Sequence, residues 1–149
     1  MSIEHKKEAI KYFNATWDLI EKHNRTAEEN LKMIHMAHAS RYHWGEIGTP
    51  LEFSRGEWQI SRVYCLVNHG ESALFHGKHA LRYCLDHHIG DFDLAFAYET
   101  LARANAVMGD DIKTKYYVDK ALEASKDIQK PEDLDYFMSE LKTIPGYDQ

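Results

Sequence analysis

The sequence predicts an all-α chain in which three antiparallel helical hairpins stack in a row and a seventh helix closes the end. Three observations carry this. Trp17, Trp58 and Tyr98 recur at steps of 41 and 40 residues, and Ala39, Ala80 and Ala121 at two steps of 41. A fixed period of that size marks a solenoid, whose units cannot bury their apolar faces alone and stack on their neighbours. Helix start and stop signals fall at the intervals the period requires, and no apolar alternation bounded by turn residues announces a strand. Residues 1–149 read as one domain, with hairpins at about 3–47, 50–89 and 92–126 and a capping helix at about 131–143.

Each element has its own signature. Ile10, Phe13, Trp17 and Ile20 form one apolar face over Ile3 to Lys22, and Asn24-Arg25 break the pattern. Thr26 and Glu29 spell a capping box for the second helix, which Leu31, Ile34, Met36 and Ala39 carry toward Trp44 and Gly48 stops. Thr49, Pro50 and Glu52 repeat the same logic, with a proline at the first helical position where its missing amide costs nothing. This third helix is expected to run to His69 and stop at Gly70. The fourth spans about Ser72 to Ile89, and Gly90 is expected to end it as Gly48 ends the second. The fifth covers about Phe92 to Met108 and ends at Gly109. Asp110 or Asp111 caps the sixth, which reaches about Lys126, and Pro131 opens a seventh with Leu134, Phe137 and Leu141 on one side.

Composition narrows the function. A formal net charge of −6 argues against phosphate-dominated binding to nucleic acid or anionic lipid. Ile3 to Lys22 mixes charged and apolar residues and lacks the apolar run of a signal peptide or membrane span, so a cytoplasmic protein is expected. Cys65 and Cys84 form no CxxC pair and read as buried free thiols. GxSxG, GxGxxG and HExxH are all absent, and Gly77-Lys78 sits inside a helical pattern at the wrong distance from Gly70 for a phosphate loop. The expectation is a protein without enzymatic activity and without a cofactor.

Tyr98, Leu101, Ala102, Gly109, Val118 and Ala121, with the run Asp119-Lys120-Ala121-Leu122-Glu123, resemble a tetratricopeptide repeat. Trp58, Gly70, Ala73, Gly77 and Ala80 match in the second repeat, where Ser61 and Arg62 stand in place of the Leu and small residue; Trp17, Ile20, Met36 and Ala39 match in the first. The period exceeds the roughly 34 residues of the standard repeat. Repeats of this longer length resemble those of bacterial peptide-sensing regulators, without their DNA-binding segment. The runs Asp91 to Glu99 and Ala37 to Trp44 look like a group of uncharacterised bacterial proteins. The resemblance implies a right-handed stack whose first helices line a concave groove. It also implies that the second helices face outward.

Binding sites follow from these faces. The positions beside the anchor aromatics and one turn beyond give Asp18 and Lys22, Gln59 and Val63, then Glu99 and Arg103. With Arg62, which is expected to pair with Glu57 or Asp91 or to project into a pocket, these predict a groove of mixed charge for a peptide or partner protein. Trp44, Tyr42, Phe53 and Tyr64 are candidate aromatic walls, and the Lys, Asn and Arg string by which co-chaperone members of the family clamp a C-terminal carboxylate is absent. A rival reading builds a metal or small-molecule site from His35, His38, His76 and His79, two pairs spaced i, i+3 and separated by 41 residues. A third is use of the groove for self-association, since a short solenoid leaves apolar end faces.

Overall fold

The computed structural model describes residues 4–147, and the expected helix start at Ile3 lies outside them. Seven helices follow in order: α1 (His5–Ile20), α2 (Ala27–Ile47), α3 (Pro50–Leu66), α4 (Gly70–Asp86), α5 (Asp91–Val107), α6 (Asp111–Ser125) and α7 (Pro131–Leu141). No strand occurs among the described residues. Nor is any described helix long and apolar enough to cross a membrane.

The starts of α2, α3, α6 and α7 are those the sequence announces, whereas α4 opens at Gly70, before the expected Ser72. Thr26 Oγ1 accepts from the Glu29 amide at 3.1 Å while Glu29 Oε1 accepts from the Thr26 amide at 2.9 Å, so two orphan donors of α2 are satisfied at once. Glu52 Oε1 accepts from both the amide and the hydroxyl of Thr49 at 2.8 Å, and Asp110 Oδ1 takes the Lys113 amide at 3.0 Å.

The stops differ. α3 ends at Leu66, and the chain turns through Asn68 (φ 64°), with the His69 amide donating back to Tyr64 O at 2.9 Å. α4 ends at Asp86 and turns through His88 (φ 55°), the Ile89 amide reaching Cys84 O at 2.9 Å. Gly109 (φ 77°) makes the same closure after α5, where the Asp110 amide bonds Asn105 O at 3.0 Å. Gly70 and Gly90 are therefore not the stops the sequence suggests. Asn tolerates the left-handed position, and His88 holds it at a cost of roughly 1 kcal/mol. Gly70 instead opens α4 so close to Met108 that a Cβ would collide with its side chain.

Every helix packs on the next, and the odd-numbered helices also touch in series, α1 on α3, α3 on α5 and α5 on α7. Among the described residues, the Cα atoms of α2, α4 and α6 do not come within 8 Å of one another. α5 is the most enclosed element, with Ala95 to Ala97 and Glu99 to Asn105 all buried. Ala80 and Ala121 are fully buried where their helices meet α3 and α5. Ala39 is only half-buried, and Ala37 and Ser40 take its place in the core. Serine hydroxyls join neighbouring helices: Ser40 donates to Ala9 O at 2.8 Å, Ser54 to Ala80 O at 2.9 Å and Ser61 to Ala73 O at 2.8 Å. Each satisfies a buried polar group while letting the backbones approach.

Candidate functional site

The odd-numbered helices line an open cavity of about 500 Å³. Helical spacing supplies its walls, since residues three or four apart share a face. α1 brings Phe13 and Trp17, α3 brings Arg55 and Trp58, α5 brings Phe92, Asp93 and Phe96, and α7 brings Asp133 and Tyr136. The rings form a continuous wall. Trp17 and Trp58 lie 5.5 Å apart at 35°, Trp58 meets Phe96 edge-on at 5.5 Å, and Phe92 sits 4.6 Å from Phe96 and stacks with Tyr136 at 6.5 Å. Arg55 holds Asp93 by two bonds, Nε to Oδ1 at 2.8 Å and a terminal nitrogen to Oδ2 at 3.1 Å. Asp133 has no ion pair among the described residues.

Behind this wall lies a buried polar network. Trp58 Nε1 donates to Glu99 Oε1 at 3.3 Å, and Arg103 donates to Glu99 Oε2 at 2.9 Å from Nε and 2.6 Å from a terminal nitrogen. Burial works against the Arg103 charge, but Glu99 outweighs it and the guanidinium pKa rises. Arg103 also donates to Glu140 O and Thr143 Oγ1, both at 2.9 Å, and Arg62 donates to Glu140 Oε1 at 3.0 Å. Two arginines from α3 and α5 thus tie down the end of α7, the helix that carries Asp133 and Tyr136.

None of the seven residues expected on the groove lines it, and Val63 is fully buried in the core. Glu99, Arg103, Arg62 and Gln59 are buried in the packing, Gln59 donating to Phe13 O at 3.0 Å. Asp18 is exposed, and Lys22 pairs with Glu29. Arg62 does pair with an acid, but with Glu140 of α7 and not with Glu57 or Asp91. The reason is rotational. A residue one step after the anchor lies about 100° round the helix from it, whereas residues three or four before share its face. The anchors Trp17 and Trp58 face the groove themselves, so Phe13 and Arg55 line it, while Gln59 after Trp58 turns into the stack and Asp18 after Trp17 turns to solvent.

The histidines form a second cluster between α2, α3 and α4. His76 Nδ1 lies 2.7 Å from Glu57 Oε1, and Arg41 Nε donates to Glu57 Oε2 at 2.7 Å. His38 Nε2 meets Tyr64 Oη at 2.9 Å, and the His38 and His76 rings sit 5.4 Å apart. Burial, then repulsion from His76, lowers the His38 pKa. His35 is exposed, and His79 packs edge-on to Phe75 at 4.8 Å. The repeated pairs thus divide, one member of each turning inward to α3. Among the described residues, no group of three or more His, Cys, Asp or Glu side chains is placed to hold a metal ion. Phe53 and Tyr64 belong to this cluster and not to the groove, Phe53 lying under the Arg41 guanidinium at 4.6 Å.

Neither thiol is prepared for chemistry. Burial pushes Cys65 up to about 12 and raises Cys84 as well, which keeps both as thiols near neutral pH.

No protein-family model, curated protein or solved structure matches the chain.

Proposed function

We propose that the chain is a non-catalytic binding scaffold that takes a peptide, or an exposed segment of a partner protein, in the groove between α1, α3, α5 and α7. One observation carries the reading: six aromatic side chains from four separate helices, Phe13, Trp17, Trp58, Phe92, Phe96 and Tyr136, gather on one open cavity. Aromatic rings supply much contact area at small entropic cost, and the cavity volume falls within the roughly 300–1,000 Å³ of ligand sites. Serial packing of the odd helices, with α2 and α4 meeting only through side chains, supports reading the fold as three stacked hairpins closed by α7, in the right-handed manner of a tetratricopeptide-like solenoid. The groove carries no thiol, serine or threonine hydroxyl, or histidine, and Asp93 is engaged by Arg55, which favours binding over catalysis.

Selection of peptides from a random library on the immobilised chain tests this. Peptides that bind the wild type should bind Phe13→Ala and Tyr136→Ala at least tenfold more weakly, while Ile112→Ser on the outer side of α6 keeps full affinity. Equal loss in Ile112→Ser, or none in the groove variants, would move the site off the groove.

A further inference from the structure

We propose that the groove receives a lysine side chain of the bound peptide, its stem along the Trp17 and Trp58 wall and its ammonium at Asp133; this rests on reading the groove as a peptide site. The faces of aromatic rings attract cations, and indole does so most strongly. Trp58 is primed further, because its Nε1–H donates to the Glu99 carboxylate at 3.3 Å and a hydrogen bond to an anion pushes electron density into the ring.

The charges in the groove sum to one negative. Its charged residues are Arg55, Asp93 and Asp133. Arg55 and Asp93 neutralise each other through two bonds, which leaves Asp133 as the surplus charge. At the rim, burial raises the Tyr136 pKa, and the carboxylates of Glu140, Glu21 and Glu99 add to it against the opposing Arg62. An anionic side chain would enter a negative field. A neutral one would gain the apolar contact alone.

The aromatic lining and the unpaired carboxylate suit lysine. Both oxygens of Asp93 are already held by Arg55, so Asp133 is the carboxylate left for an incoming cation. Asp133 offers a carboxylate on the same cavity as the aromatic wall, which suits a compact ammonium on an apolar stem.

The test uses the full chain and three small probes, the Nα-acetyl amides of lysine, norleucine and arginine, with the indole N–H resonances of Trp17 and Trp58 as the readout. Norleucine keeps an aliphatic stem and lacks the ammonium. Lysine should bind about 2- to 30-fold more tightly than norleucine at low salt, and also more tightly than arginine. In Asp133→Asn the lysine advantage should shrink while norleucine binding stays unchanged. Norleucine binding as tightly as lysine would overturn the cation and leave the apolar groove standing. Arginine binding more tightly than lysine would overturn the choice of ammonium. If no probe moves either indole, the lysine pocket is overturned, and the fate of the groove itself is read separately from the library selection with Phe13→Ala and Tyr136→Ala.

Discussion

Trp58 and Glu99 stand 41 residues apart, one repeat, and the indole of the first donates to the buried carboxylate of the second at 3.3 Å. The groove wall is therefore fastened to the ion pair of Glu99 with Arg103, of which 0% and 6% respectively is exposed. Glu99→Ala should cost about 3–5 kcal/mol in urea unfolding, because it leaves the Arg103 guanidinium buried without its carboxylate. Arg103→Glu should cost as much, placing two carboxylates together. A loss below about 1 kcal/mol for either variant would mean that water reaches this pair as it reaches a surface salt bridge.

Overpacking should grade with burial. Ala80→Leu and Ala121→Leu should each lose about 1–3 kcal/mol, since both alanines are fully buried between helices. Ala39→Leu, at a half-buried position, should lose less than about 1 kcal/mol. Equal effects at all three positions would contradict the separate packing of Ala39.

Acid should weaken the fold through His38. Its charged form is disfavoured by burial and then by His76 and His35, against the attraction of Glu57, so its pKa in the folded chain lies below 6.5. Between that value and 6.5 the unfolded chain binds more protons, and stability falls as the pH drops through this window. Glu57 adds to the loss at lower pH. Burial opposes its ionisation, but His76 and Arg41 prevail and hold its pKa below 4.5, so its contribution is present above 4.5 and disappears as the pH falls through the depressed value. Thermal unfolding at about pH 7.5 and about pH 5.5 should give the lower midpoint in acid, with a smaller difference in His38→Gln. An unchanged difference in that variant would remove His38 as the cause.

Helices were legible in the sequence where local chemistry decides them. Thr26 with Glu29, Thr49 with Pro50 and Glu52, and Asp110 mark starts that need only neighbours a few residues away. Stops were less legible, because Asn68 and His88 take left-handed positions for which glycines nearby were the stronger signal. The period located the groove helices but not the face each presents. Glu99 and Arg103 look like solvent residues until their partners on α3 and α7 are known, and the pairing of Arg62 with Glu140 spans 78 residues. The local clue to the lining was aromatic spacing, the i, i+4 pairs Phe13 with Trp17 and Phe92 with Phe96, together with Arg55 three residues before Trp58. It is a clue that ordinary core packing also produces.

The central claim, that α1, α3, α5 and α7 form the binding face, is tested most directly by mapping a library-selected peptide on the backbone amide and indole N–H resonances of the full chain. Perturbations should concentrate at Phe13, Trp17, Arg55, Trp58, Phe92, Asp93 and Tyr136, and the Trp44 indole should stay still. Perturbations centred on α2, α4 and α6, with the Trp17 and Trp58 indoles unmoved at saturation, would contradict it.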